Sequence, residues 1–313
     1  MADLSKGSKP SKDEFFGKAL FDVEHALGMY AFSFCTIPAE GIYNKEALAP
    51  LVSVIESCHI YLIGYTPVVD FIDAQQKNGA LNLTFTVLGK KHTVSYDLPE
   101  GRSLKRDGEL NYMEDTSGQR FWPKVEDMQV RLSDQSGAVT FDVKYVGQAY
   151  GQDGSRNAID RLLAHETLQK IALKGVPDGY RLTLLLLAIQ PSNQLFTVMN
   201  PFAKKKDEGD ARIKSGLDKL FHTKESERVA LYEAALIKYF SPEFNKEFKD
   251  SFPSTTLKIL QACYEKDFSA VVAEICIDEL PFRLFSHAVK PAICHIAKHD
   301  LHKDEQRRMF FGL

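Results

Sequence analysis

The feature that most constrains this chain is the run Leu182-Thr183-Leu184-Leu185-Leu186-Leu187-Ala188-Ile189. A membrane-spanning helix needs about 20 apolar residues, so a run this short has to be covered by the protein's own core, as a buried strand or a short helix. No longer apolar stretch occurs, which predicts a soluble chain with no membrane partner. A length of 313 residues with 44% hydrophobic content is enough for at least one full core and favours two compact units, or one elaborated unit. Residues 1–13 are polar, rich in Ser, Gly, Pro and Lys, and lack an apolar signal-peptide core. They are expected to be a disordered leader, and the protein is expected to be cytoplasmic.

Charge and cysteine content narrow the function classes. A net charge of −3 lacks the global basic footprint of a protein that coats DNA, so any nucleic-acid surface has to be local. Cys35, Cys58, Cys263, Cys276 and Cys294 are odd in number and scattered without C-x-x-C spacing. That pattern predicts buried thiols in a reducing compartment and no disulfide framework.

Periodicity predicts an α+β fold. Alternating segments 81–87 and 92–96 around Gly89-Lys90-Lys91 form a hairpin, and the polar segment 99–119 marks a loop near a domain edge. Residues 128–132 and the alternating run 139–147 are expected to form a second hairpin. Beyond the Gly/Ser-rich stretch 150–155, Ile159, Leu162, Leu163, Leu168 and Ile171 have helical spacing, with a stop near Lys174-Gly175. A strand over 180–189, a hydrophilic connection at 204–214 and a helix from about 225 to 239 follow, and residues 257–313 alternate helical and strand-like pieces. The expected organisation is a leader (1–13), an N-terminal α+β domain (14–125), a central domain (126–250) and a C-terminal extension (251–313).

The chemistry-bearing residues concentrate in the central segment. Arg161 and His165, four apart on one expected helix, share a face and can address one phosphate. A guanidinium suits that task because its planar fork donates two hydrogen bonds and stays charged. Glu233, on the later helix, offers the hard oxygen that Mg²⁺ or Mn²⁺ needs.

Three groups of residues carry a resemblance. Tyr145-Val146-Gly147 is followed by Arg161 with His165 four places on. The segment from Glu233 to Asn245 then has Leu236-Ile237, Pro242, Phe244 and Asn245 at fixed offsets from the glutamate. In this order they resemble the GIY-YIG nuclease superfamily, with a closing motif like that of the excision-repair nuclease UvrC. The resemblance covers about residues 128–245. It departs from the pattern in a longer loop between Tyr145 and Arg161, a long connection before the second helix, and the lack of a recognisable first signature. Val130 falls near where that signature's tyrosine is expected, and the literal Gly41-Ile42-Tyr43 lies too early in the chain.

The resemblance implies a central domain with a small antiparallel sheet flanked by helices, and a divalent-metal-dependent endonuclease acting on nucleic acid, with DNA the expected substrate. It implies that Glu233 holds Mg²⁺ or Mn²⁺ and Arg161 binds the scissile phosphate. Tyr145 or His165 orients or deprotonates the attacking water, and Asn245 supports the site by hydrogen bonding. Lys204, Lys205 and Lys206 are weak candidates for phosphate contacts, and the N-terminal domain is a candidate surface for a protein partner. The alternative from a different class is a catalytically inactive nucleic-acid-binding or assembly protein on a degenerate nuclease fold. A zinc site at Cys294, His295, His299 and His302 is less favoured than a histidine-bearing helix end. The stretch 151–155 lacks the Gly-Lys-Ser/Thr ending of a phosphate-cradling P-loop.

Overall fold

A computed structural model of the protein describes residues 19–151, 156–207, 209–253 and 257–307. The expected leader, 1–13, lies outside the described residues, as does most of the stretch 151–155. In chain order the first elements are β1 (Val23–Pro38), the short helices α1 (Lys45–Leu48) and α2 (Val52–Ile55), and β2 (Ile60–Pro67). Next come β3 (Val69–Lys77), β4 (Ala80–Val87), β5 (Lys90–Asp97), β6 (Ser103–Asp107), β7 (Leu110–Glu114) and β8 (Arg120–Phe121). The middle of the chain holds α3 (Val125–Ser136), β9 (Thr140–Gln148), α4 (Ala158–Leu162), α5 (Glu166–Lys174), β10 (Tyr180–Ile189) and β11 (Gln194–Met199). The last elements are α6 (Ala211–His222), α7 (Glu225–Phe240), α8 (Lys258–Glu265), β12 (Ala270–Cys276), β13 (Arg283–Phe285) and β14 (Cys294–Asp300).

The apolar run becomes β10, in the middle of a sheet ordered β13-β9-β2-β10-β1-β12-β14, with β11 also paired to β1. Leu185 and Leu187 enter one core, while Leu182, Leu184, Leu186 and Ala188 enter another on the opposite face. A strand covered on both faces has no polar phase, which is why the run is continuous. The fold is α+β, as the periodicity predicts. The sheet takes β1 and β2 from residues 14–125, β9 and β10 from 126–250, and β12 to β14 from 251–313, so its hydrogen bonds cross the boundaries expected at 125 and 250.

The sheet curls around α7. At one end of the order β13 pairs in parallel with β9, Leu284 opposite Phe141. Leu284 also bridges Ala292, just before β14 at the other end, and the Ile277 N–H donates to Ile293 O across the same connection at 3.1 Å. Wrapped this way, α7 buries Val229, Leu231, Tyr232, Ala234, Ala235, Leu236, Ile237 and Phe240, residues that point around most of its circumference. Such a helix belongs to a core and not to a surface. The Tyr232 hydroxyl donates to Glu274 O on β12 at 2.8 Å, and His299 Nε2 on β14 lies 3.0 Å from Ala235 O.

Several local expectations change. Residues 128–132 are helical: Met128 and Leu132, four apart, are buried in α3, and Gly137 caps it with a left-handed φ of 62°. β9 therefore finds its partner in β2, not in a local hairpin. Residues 99–119 are not a plain loop but include the β6–β7 hairpin. The helix expected from Ile159 to Ile171 is two helices, interrupted where His165 N-caps α5. Cys35, Cys58 and Cys263 are buried free thiols, whereas Cys276 and Cys294 face each other in the β12–β14 ladder and are joined as a disulfide. Register between distant strands, which decides that pairing, is not written in cysteine spacing. The hairpin at 81–97 forms as β4–β5. Among the described residues no helix is long and apolar enough to cross a membrane.

Candidate active site

A bulge in β9 creates the site. β9 pairs with β2 so that Ile63 faces Tyr145 but Gly64 faces Val143, leaving Lys144 as the extra residue. Before the bulge, Phe141 and Val143 point into the core around α7. After it, Val146 points there, and Tyr145 faces the opposite core, on the side of α4 and α5. β2 has the same division: Ile60 and Leu62 face α7, while Tyr61 and Ile63 face α4 and α5. The phase shift thus brings Tyr145 beside Tyr61, with ring centroids 6.2 Å apart in a stacked arrangement. Gly147 lies directly across from Tyr61. A Cβ there would sit 2.6 Å from Tyr61 Cζ and Oη and 2.7 Å from Tyr145 Cε1, so the glycine is the floor over which both rings fold.

Arg161 and His165 join this pair from separate short helices. An Asn157 capping box, with Oδ1 accepting from Asp160 N at 3.0 Å, starts α4. The Ala158 N–H donates to Cys58 O at 3.0 Å and anchors α4 beside the start of β2. Arg161, at the end of α4, is exposed, lies near enough to the Tyr61 hydroxyl for its charge to act on it, and among the described residues has no carboxylate in ion-pair range. His165 is buried, with ring centroids 5.4 Å from Tyr61 and 5.1 Å from Tyr145. Burial, then the Arg161 charge, lowers its pKa to about 4. Burial likewise raises the phenols of Tyr61 and Tyr145, with the Glu233 charge adding to the rise in both and Arg161 opposing it.

Glu233, on α7 at the other face of the sheet, acts on the two phenols through its charge. Its side chain retains some exposed area, yet protein encloses the carboxyl closely enough that burial pushes its pKa up to about 8. Gln148, at the end of β9, lies beside this carboxyl and opposes the rise; the Glu247 charge adds to it and Arg161 opposes it. β13 covers β9 only at residues 140–142. Beyond that point the segment after α7 caps the edge. The Phe244 N–H donates to Lys144 O at 3.0 Å, and the Asn245 amide accepts from Val146 N at 2.9 Å and donates to Val146 O at 2.8 Å. One planar side chain substitutes for a strand neighbour.

Of the residues singled out in the sequence, Tyr145 and His165 are in contact, the charges of Arg161 and Glu233 act on Tyr145, Glu233 doing so from the other side of the sheet, and Asn245 braces the strand that carries Tyr145. Lys204, Lys205 and Lys206 are exposed but remote. Lys205 is bridged to Phe21, whereas Cys35 is the β1 residue level with Tyr61, a separation of roughly 45 Å of strand contour at ~3.3 Å per residue. Lys204 Nζ donates to Gln306 Oε1 at 2.8 Å. Val130 is a half-buried residue of α3, and Tyr43 is exposed in a 3₁₀ turn. The C-terminal histidines diverge. His295 Nε2 faces Leu284 O and Ala292 O, His299 Nε2 faces Ala235 O, and His302 Nε2 faces Phe268 O. Sequence reasoning missed Tyr61 and Gln148; the signal for Tyr61 was an aromatic residue inside the apolar segment 60–63. No protein-family model matches the chain, and no curated protein or solved structure matches it.

Proposed function

We propose that the protein is a divalent-metal-dependent phosphodiesterase of the GIY-YIG type that cuts nucleic acid, with DNA the first substrate to test. The observation that carries this reading is the pairing of two tyrosines from neighbouring strands, with a guanidinium without a carboxylate partner and a carboxyl from a core helix both within electrostatic reach of them. In this reading His59-Ile60-Tyr61 stands for the missing first signature, and the β3 to β8 segment is an insertion between the two signature strands.

Among the described residues no group of three or more His, Cys, Asp or Glu side chains could hold a metal ion, so Glu233 would be the one protein carboxylate in direct contact, seated by Gln148. That is enough for Mg²⁺ or Mn²⁺, which keep waters and take phosphate oxygens. Such an ion supplies charge neutralisation at the phosphate when bound. The protein's own groups then divide the work. Arg161 grips the scissile phosphate, a tyrosine hydroxyl orients the attacking water by hydrogen bonding, and Glu233 holds the cation. Asn245 keeps β9 in place. The pKa of Glu233, near 8 without a cation, makes cation binding compete with a proton at neutral pH. That competition favours the rival reading, a binding module that does not cut, if the cation loses.

The test is cleavage of labelled single- and double-stranded DNA and RNA with Mg²⁺ or Mn²⁺. The parent is compared with Tyr61→Phe, Arg161→Ala and Glu233→Gln. Parent activity that all three variants lose by about 10² or more is the expected outcome. Binding without cleavage, unchanged in all three variants, would establish the binding module instead.

A further inference from the structure

We infer that His165 is a fixed hydrogen-bond donor, offering Nε2–H to a phosphate oxygen of the substrate, and that it does not take the proton of the attacking water. The inference rests on the nuclease reading and settles a division of labour within that site.

At the N-terminus of α5, His165 has extended backbone and its Nδ1 accepts the Leu168 N–H at 3.1 Å. An imidazole nitrogen that accepts cannot carry a proton, so the neutral ring has its hydrogen on Nε2. An imidazolium would set a second N–H against that of Leu168 and break the cap. The ring is 4% exposed, boxed by Tyr61 at an interplanar angle of 83° and Tyr145 at 59°. Among the described residues Nε2 has no hydrogen-bond acceptor. The charged and titratable groups around it are Arg161 from α4, the two phenols from β2 and β9, and Glu166 from α5.

A lone guanidinium and an N–H without an acceptor, side by side in one site, are complementary to the oxygens of a phosphodiester. The lone pair needed for base duty is already spent on the helix cap.

Two measurements test the assignment. Long-range proton–nitrogen correlation of the imidazoles in the intact protein at neutral pH is expected to show His165 as the Nε2–H tautomer. An Nδ1–H tautomer or an imidazolium overturns the inference whether or not the protein cleaves anything. The second compares His165→Asn, whose Oδ1 can still cap α5, with His165→Ala. The Asn variant should melt close to the parent while cleaving at least about tenfold more slowly, and the Ala variant should lose both stability and cleavage. Parent-like cleavage by His165→Asn makes the histidine only a cap and overturns the donor role. A parent that cleaves no polymer, with the Nε2–H tautomer present, refutes the nuclease reading and the phosphate contact but leaves the tautomer standing.

Discussion

A methyl group at position 147 has nowhere to go. Ring atoms of Tyr61 and Tyr145 would lie 2.6 and 2.7 Å from it, and both rings are held on their far sides by His165. Gly147→Ala is therefore expected to cost about 1–3 kcal/mol through overpacking, measured by urea unfolding. Because a displacement of about 1 Å at a reacting group can cost 10²-fold in rate, cleavage should fall by more than the stability loss suggests. At this scale the sequence was legible where residues sit close together in the chain: Tyr145, Gly147, Arg161 and His165 form a compact pattern. Tyr61 was illegible for the opposite reason. Its neighbour across the ladder lies beyond β3 to β8, and a spacing rule that assumes a short hairpin points to Val130.

The edge of β9 makes the clearest prediction for an element. Asn245 satisfies both the N–H and the C=O of Val146, and all of these groups are buried. Asn245→Ala leaves both main-chain groups without partners, at about 1–3 kcal/mol each. A loss of about 2–5 kcal/mol with an unchanged denaturant slope is the expected result. Asn245→Asp should also destabilise, since it sets an acceptor against Val146 O. Elements with strong local patterns were readable in advance: β10 from its apolar run, β4–β5 from alternation around Gly89, and α7 from its length and its stop at Ser241. Residues 128–132 were misread because five residues of alternation fit a strand and a helix turn equally well. The break between α4 and α5 was hidden because a histidine cap leaves no signature as distinct as Ser or Asp.

For the whole molecule, burial sets a dependence on pH. His165 and His299 are both pushed down to about 4 by burial, and His25 and His295 are lowered for the same reason. An unfolded histidine titrates near 6.5, so between about 6.5 and 4 the unfolded chain binds protons that the folded one refuses. Stability should fall as pH drops through that window, by up to roughly 3 kcal/mol for each of the two most shifted rings. Glu233 works in the other direction. Its raised pKa contributes stability that is fully present below about 4.5 and is lost as pH rises through about 8. Melting curves at pH 4, 6.5 and 8.5 should therefore show a maximum in the middle. Glu233→Gln should remove the decline on the alkaline side and steepen the rise on the acid side, because the Glu233 loss already begins above about 4.5. The same architecture has a consequence for how the protein can be divided. Tyr61 and Tyr145 belong to one ladder, yet the chain leaves β2 and returns to β9 only after the β3 to β8 excursion, whose turn at Gly89 is open to solvent. A nick at that turn would leave Tyr61 on one fragment and Tyr145, Arg161, His165 and Glu233 on the other. Each fragment alone would be inert, and the site would exist only where the two anneal along the β2–β9 seam.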